Sequence, residues 1–299
     1  MDCISVIIPV KNRLIELKRA LRSVLNQTYL TFEVLVVDDG SEENTESIVQ
    51  SIGDERIRFF RNPGPVYNAN VCRNIGMREA KGEYIAMLDS DDEWLPAYLQ
   101  TQLAFLKENS ADAVFSGVYI DRGTHREMKI SRSRDKNESM ADYLLGDGFA
   151  QTSTHIYSRN FIIQQRLMWD ESLFRHQDLD FCIRVAQKGE FITQPVPNCI
   201  VHWHQGDVRN DHLASRFKFM TKHRENISPR LYCRYFAFQY RRYVNNPEVS
   251  VSDKKRLLKE SRRYMKHISF TEFMLVYRST GFINKIWYRF LFSLRVMFS

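Results

Sequence analysis

No apolar run in the 299 residues approaches the roughly 18–20 that a membrane-spanning helix requires. The opening MDCISVIIPV has neither the basic start nor the small-residue cleavage site of a secretory leader, and it runs straight into a strand pattern. Five cysteines (Cys3, Cys72, Cys182, Cys199, Cys233) are odd in number and show no C-x-x-C spacing, which suggests neither a disulfide framework nor a zinc site. Two phosphate-binding loops are missing as well. The first turn reads Val10-Lys11-Asn12-Arg13 with no glycine, which excludes a G-x-G-x-x-G dinucleotide site, and no G-x-x-x-x-G-K-[ST] segment occurs. Helix-turn-helix, zinc-finger and RNP motifs are also absent, so no nucleic-acid partner is expected. These absences fit a chain working in a reducing cytoplasm.

What is present is a globular composition, 43% apolar and 26% charged. The net charge of +7 is unevenly spread: residues 1–204 carry 23 Lys+Arg against 29 Asp+Glu, and residues 205–299 carry 20 against 7. A split of −6 against +13 marks two jobs within one chain.

The acidic part alternates strand and helix patterns. Ser5–Val10 and Phe32–Val37 are β-branched and apolar without alternation, as strands buried on both faces are. Between them Leu14, Leu17, Ala20, Leu21, Val24 and Leu25 recur at helical spacing. A helix start near Thr45, a strand at Ile57–Phe60, a helix over Ala69–Ala80, a strand at Tyr84–Leu88, a helix over Pro96–Asn109 and a strand at Ala113–Val118 continue the pattern. Connections this short predict an α/β fold with a mainly parallel sheet. Asp121–Lys136 reads as a loop or weak hairpin, residues 140–168 as mixed with a helix near Phe161–Arg166, and Phe191–Pro197 as strand-like.

Two of these strands end in carboxylates: Asp38-Asp39-Gly40-Ser41, and Asp89-Ser90-Asp91-Asp92. Packed carboxylates repel and resist burial unless paired or bound to a cation. At the carboxyl end of a strand in an open α/β sheet they face the ligand crevice, and hard oxygens suit Mg²⁺ or Mn²⁺ bridged to phosphate. A solvated acidic turn capping the next helix has the same local composition. Further on, Asp178 falls in the first turn of a helix whose Leu179, Cys182, Ile183 and Ala186 share a face, where an acid is also a favourable cap.

In order, SVIIPVKNR, VVDDGS, Arg73-Asn74-Ile75-Gly76 with AKGEYI, LDSDD, His176-Gln177-Asp178 with Arg184 and Gly189, and His202-Trp203-His204 resemble the motifs of the family 2 glycosyltransferases. These are inverting, sugar-nucleotide-dependent enzymes of the GT-A fold, and the resemblance covers roughly residues 3–206. It implies that Asp39 reads the nucleotide base and that Pro9, Val10, Asn12, Arg73, Asp89 and Ser90 surround the nucleotide. It further implies Asp91 as metal ligand, His204 near the metal and diphosphate, and Asp178 as catalytic base, with Asp180 as the fallback. Lys11 stands where the family has an aromatic, Gln177 where it has a glutamate, and His202 where it has an arginine. The resemblance implies a Mn²⁺ or Mg²⁺ cofactor, a nucleotide-sugar donor with UDP favoured, and a glycan or lipid-linked acceptor.

His155 has two readings, lining the acceptor cleft or an ordinary hydrogen-bonded histidine; Trp94 and Trp169 either stack on sugar or pack. The chain is expected to divide into a catalytic domain, 1–206, and a basic helical region, 207–299. Residues 213–299 hold 18 aromatics. Ser252 is expected to cap a helix that buries Leu257, Leu258, Ser261, Met265 and Ile268. The last stretch sets Trp287, Leu291, Leu294 and Phe298 on one face among Lys285, Arg289 and Arg295. Such a basic amphipathic helix suits an anionic membrane surface, placing the enzyme peripherally on the inner face of the plasma membrane, or packs on the catalytic domain. Competing readings are a nucleic-acid-binding protein using the tail, a nucleotidyltransferase, for which VKNR is a poor first loop, and a non-catalytic homologue prompted by Gln177.

Overall fold

The computed structural model describes residues 2–203, 212–264 and 268. The chain divides into two compact units, Met1–Lys222 and His223–Ser299. The first unit runs past the expected boundary at residue 206 and takes in one further helix.

In chain order that unit holds β1 (Ile4–Val10), α1 (Leu14–Leu25), β2 (Phe32–Asp38), α2 (Thr45–Ile52), β3 (Ile57–Arg61) and α3 (Ala69–Glu79). There follow β4 (Tyr84–Met87), β5 (Glu93–Trp94), α4 (Tyr98–Glu108), β6 (Ala113–Ser116), β7 (Val118–Asp121), β8 (Arg126–Lys129) and α5 (Met140–Leu145). A 3₁₀ turn at Thr152–Thr154 leads to β9 (Ile156–Ser158), α6 (Arg159–Gln164), α7 (Gln177–Ala186), β10 (Phe191–Gln194), β11 (Cys199–His202) and α8 (Leu213–Lys222).

The larger sheet has the order β10-β6-β9-β4-β1-β2-β3. Its pairs are parallel except around β9, which runs antiparallel to both β4 and β6. The chain first builds outward from β1 through β2 to β3, then returns to place β4 on the other side of β1. The strand order therefore reverses at β1 and β4, and the carboxyl ends of those two strands flank the crevice where open α/β sheets bind ligands. Every residue of β1 is buried. Val6, Ile8 and Val10 join Leu17, Leu21 and Val24 of α1 and Leu99, Leu103 and Leu106 of α4 in one core. Ile7 points the other way, toward Gly76 of α3. Helices on both faces explain why β1 and β2 lack polar alternation.

The single strand expected at Ala113–Val118 is two strands in two sheets. A Cβ at Gly117 would lie 2.4 Å from the Lys129 carbonyl oxygen, so only glycine lets the chain turn there from β6 into β7. The smaller sheet has the order β5-β11-β7-β8, and its β7–β8 pair realises the weak hairpin.

The second unit contains α9 (Pro229–Tyr243) and α10 (Val251–Ser261), packed on each other. The tyrosine hydroxyl of Tyr232 donates to Glu260 Oε2 at 2.8 Å, and Arg263 Nη2 meets Glu260 Oε1 at 2.8 Å. The cap of α10 is Ser250, not Ser252: its hydroxyl accepts the Asp253 amide at 3.0 Å. Leu257 and Ser261 are buried as expected, while Leu258 is only partly so. Met265 and the stretch carrying Trp287, Leu291, Leu294 and Phe298 lie outside the described residues. Among the described residues no helix is long and apolar enough to cross a membrane.

Gly76 provides a test of how tightly α3 sits on the sheet. An added Cβ would stand 2.5 Å from Ile7 Cγ2, in a wholly buried side chain that is stiff at χ1. Gly76→Ala is expected to destabilise the protein by about 1–3 kcal/mol despite its better helix propensity. Urea unfolding measures it, and a variant as stable as wild type would mean that α3 can back away from β1.

Candidate active site

The turn after β1 is stitched to the turn after β2. Asn12 adopts φ +50°, a left-handed conformation that asparagine tolerates better than most residues. Its amide donates to Ser41 Oγ at 3.0 Å, and its side-chain carbonyl accepts the Glu42 amide at 2.9 Å. The two aspartates of VVDDGS then take different directions. Asp38 is wholly buried and holds its own turn, accepting from Ser41 N at 3.1 Å and Thr45 Oγ1 at 3.2 Å, with Arg61 at 3.4 Å. Asp39 faces the cleft, where Asn62 Nδ2 donates to it at 2.8 Å and Lys11 Nζ stands 3.9 Å away. The same ammonium lies 5.2 Å from the centre of the Tyr67 ring.

Across the cleft, α3 delivers Arg73 to the end of β4. Its guanidinium donates to Asp89 Oδ1 at 2.6 Å and to Asn70 Oδ1 at 3.2 Å, and it lies 4.6 Å from the Trp169 ring. Trp169 stacks in turn on Phe181 of α7, with centroids 4.3 Å apart and planes within 7°. Asp91 contacts Arg13, and its backbone carbonyl accepts from Arg19 Nη2 at 2.5 Å. Burial and the neighbouring Asp89 push the Asp91 carboxyl up, against the pull of Arg13. Asp92 is buried behind them. Its Oδ2 accepts from Ser153 Oγ at 2.5 Å, and that hydroxyl accepts the Asp89 amide at 3.1 Å. Burial, Asp91 and Asp89 drive the Asp92 carboxyl well above the carboxylate range. The third acid of the cluster is thus a structural anchor of the loop.

These strand ends enclose a cavity of about 680 Å³. Pro9, Val10, Asn12, Asp39, Arg73, Asp89, Ser90 and Asp91, all expected from the sequence, line it together. Lys11, Arg13, Arg175 and Gln177 line it too, and of these Arg175 carried no sequence signal. Among the described residues no group of three or more His, Cys, Asp or Glu side chains is arranged as a complete metal site. Asp89 and Asp91 offer two carboxylates, a donor set that suits a hard cation drawing its other ligands from phosphate and water. His204 lies outside the described residues.

The far wall is set by a ladder of asparagines on and just before α3. Asn68 Nδ2 donates to the Glu171 carbonyl at 2.8 Å and Asn70 Nδ2 to the Asp170 carbonyl at 2.8 Å. Asn74 exchanges bonds with the Trp169 backbone at 2.8 and 3.0 Å. This fixes residues 169–173, which lead into α7 and place Gln177 in the cavity with Asp178 beside it. Asp178 is half-buried, and burial raises its pKa; the Leu179 amide and Arg73 oppose the shift, and Asp89 adds to it. Both Arg73 and Asp89 line the cavity, so the carboxyl of Asp178 belongs electrostatically to the same site.

Asp180 does not. It is wholly buried in ion pairs with Arg184 Nη2 at 2.7 Å and Lys222 Nζ at 2.7 Å. The expected apolar face of α7 shifts accordingly: Leu179 and Ala186 are partly exposed, while Asp180, Phe181, Cys182, Ile183 and Val185 are buried. His155 is buried among aromatics, bonded to the Tyr157 hydroxyl at 2.7 Å, with burial and Arg73 holding its pKa down to about 3. It does not line the cleft. Trp94 and Trp169 are both buried, Trp94 stacked on Tyr98 at 4.1 Å, so both pack rather than wait for a sugar. His202 bonds Glu93 at 3.0 Å.

The two aspartates of α7 should respond in opposite ways to neutralisation. Asp180→Asn leaves Lys222 and Arg184 short of a buried partner and is expected to cost roughly 3–5 kcal/mol. Asp178 has a raised pKa, so the folded protein carries its ionised form at a penalty that the unfolded chain does not feel. Asp178→Asn is therefore expected to raise the melting temperature at neutral pH, with the gain vanishing once pH falls below the ordinary carboxylate range. Melting curves from pH 4 to 8 check both, and a destabilised Asp178→Asn at pH 7 would contradict the assignment.

Residues 5–171 match the family model described as Glycosyl transferase family 2. The amylovoran biosynthesis glycosyltransferase AmsB of Erwinia amylovora is 32% identical over 65% of this chain and 68% of its own length. The GalNAc(5)-diNAcBac-PP-undecaprenol beta-1,3-glucosyltransferase of Campylobacter jejuni is 33% identical over 48% of either chain, so this chain spans about half of that relative. The crystal structure of S. aureus TarS 1-349 in complex with UDP-GlcNAc aligns with a TM-score of 0.57 at 21% identity, covering 92% of this chain and 75% of that one. At that identity the likeness shows the fold. With the family match reaching from β1 to the loop before α7, over a cleft built on the ends of β1, β2 and β4, the chain belongs to glycosyltransferase family 2 and is a sugar-transferring enzyme of the GT-A fold.

Proposed function

We propose that the enzyme transfers a sugar with inversion from a nucleoside-diphosphate donor, most favourably a UDP-sugar, to a lipid-linked glycan during cell-surface polysaccharide synthesis. The observation that carries this reading is the convergence of Asp39, Arg73, Asp89 and Asp91 on one cavity, with the carboxyl of Asp178, next in sequence to the lining residue Gln177, feeling the charges of Arg73 and Asp89. Asp39, the carboxylate at the end of β2, accepts from the base. Pro9, Val10 and Asn12 form the floor beneath the nucleoside, and Asp89 and Ser90 stand toward the ribose and diphosphate. Asp91, with Asp89 and His204, would hold Mn²⁺ or Mg²⁺, which as a Lewis acid neutralises charge on the diphosphate. Arg73 adds a fixed positive charge on the side where the leaving group departs.

An acceptor hydroxyl ionises far above pH 7, so a carboxylate must take its proton as the new bond forms. We assign that role to Asp178, whose raised pKa would make it a stronger base than an ordinary aspartate. Attack from the face opposite the departing diphosphate inverts the anomeric centre in one displacement. The undecaprenol-linked substrate in the name of the Campylobacter relative supports a lipid-linked acceptor. The excess charge of residues 205–299 supports a further part of the reading: the basic region, 207–299, rests on anionic lipid at the cytoplasmic face of the membrane.

A thermal-shift panel of UDP-, GDP- and dTDP-sugars, each with and without Mn²⁺, tests the donor site. One nucleotide class is expected to stabilise the wild type in a metal-dependent way, and Asp91→Asn to lose that response. No stabilisation of folded protein by any of them would overturn the donor reading. Asp178→Asn is expected to keep donor binding and lose roughly 10²–10⁴-fold in kcat. In the wild type the rate should fall as pH drops through the Asp178 pKa, at a pH above the ordinary aspartate range. An acid limb at or below that range would remove Asp178 as the base.

A further inference from the structure

A second hollow, of about 350 Å³, lies between α1 and the segment that follows the acidic turn, and it shares no lining residue with the donor cavity. Arg19, Arg22, Ser23 and Asn26 line it from α1 and its cap, at spacings that put them on one stripe of the helix. Leu95 and Pro96 close the facing side together with Glu93. The two guanidiniums stand one turn apart. Elsewhere on this unit arginines take carboxylates, as Arg56 does Asp54, Arg58 Glu33 and Arg132 Glu138. Among the described residues neither Arg19 nor Arg22 meets one. Arg19 spends Nη2 on the Asp91 carbonyl, while its Nε is enclosed and has no hydrogen-bond partner among the described residues. A charged donor left unmet is costly. Ser23 is already engaged: its hydroxyl donates to the Ala20 carbonyl at 2.7 Å and accepts the Trp94 amide at 3.1 Å. Glu93, the acid of the lining, is bonded to His202 Nε2 at 3.0 Å. Two cations therefore share the hollow with one carboxylate that has another partner, and its apolar wall focuses their field.

We propose that this hollow is a phosphate-binding site separate from the donor site, formed by Arg19 and Arg22 with the side-chain amide of Asn26. Two guanidinium forks offer more donors than the oxygens of a single carboxylate can accept, whereas a phosphate carries its oxygens around one centre and can meet both forks. A phosphate held there completes the donors of the same guanidinium that holds the Asp91 carbonyl. Free phosphate and the headgroup of an anionic lipid present the same oxygens, and the experiment separates them.

The test is calorimetric titration of inorganic phosphate into the full chain saturated with UDP and Mg²⁺, which occupy the donor cavity. Arg22→Gln is expected to weaken phosphate about tenfold, and Arg19→Gln combined with it roughly a hundredfold. Arg22→Gln should leave the affinity for UDP within twofold. Lys188→Gln, which removes an exposed cation outside the hollow, should change neither. Co-sedimentation with phosphatidylglycerol vesicles, against phosphatidylcholine vesicles, identifies the source. A loss of phosphatidylglycerol binding in Arg22→Gln but not in Lys188→Gln supports the site with a lipid headgroup as its ligand. Vesicle binding equal in all forms, with the phosphate loss intact, supports it with the free anion. The proposal is overturned if neither phosphate nor vesicle binding depends on Arg22, or if Lys188→Gln lowers both equally. Failure of UDP to bind would instead defeat the donor reading, and the phosphate comparison would still be read, because neither arginine lines the donor cavity.

Discussion

A guanidinium buried in the middle of this fold joins most of what the site needs. Arg73 is almost wholly enclosed, and charge in such a place is costly unless paired and hydrogen-bonded. The pairing comes from Asp89 at the end of β4, the hydrogen bond from Asn70, and the packing from the Trp169 ring that rests on Phe181. Removing any one partner would leave a desolvated charge, so the positions of β4, α3 and the segment before α7 constrain one another. The close seat of α3 on β1, set by Gly76 against Ile7, fixes where that charge stands relative to the sheet.

The same helix organises the wall that leads into α7 by a different interaction. Asn68, Asn70 and Asn74 spend their amides on backbone groups of residues 169–173, a segment with no regular structure of its own to satisfy them. Buried backbone without a ladder needs such partners. The result is that one helix carries both the contact to Asp89 at the end of β4 and the support for the segment that leads to Asp178, while the ion pairs of Asp180 with Lys222 and Arg184 close α7 from behind.

Much of this was legible in the residues. Strands buried on both faces announce themselves by uninterrupted β-branched runs, and β1 and β2 fall where those runs do. The carboxylates at the ends of β2 and β4 stood out because acids there have no structural motive in isolation. What stayed hidden depended on neighbours remote in sequence. Nothing local separates Asp38 from Asp39, or Asp178 from Asp180; Thr45, Arg61 and Lys222 decide which acid is structural. β9 is three residues long, too short for any periodicity. Ser153 and Arg175 carry no signal beyond their positions in space. The cap at Ser250 was within reach, since Ser-x-x-Asp at 250–253 is a capping pattern, and the expectation stopped two residues late.

The reversed strand of the larger sheet, β9, has a geometric result of its own. In a parallel sheet every chain segment arrives at the ligand edge by leaving a strand there, and each arrival must be followed by a crossover helix leading away. A strand that runs backwards starts at that edge. The residues just ahead of β9 therefore come to the acidic turn on the way in, and the Ser153 hydroxyl reaches both the Asp89 amide and the Asp92 carboxyl without a crossover of its own. Reversal of one short strand thus gives the sheet an extra approach to its working edge, and insertions or exchanges in the segment feeding it would reshape the acidic turn while leaving the β1–β2–β3 half of the sheet as it is.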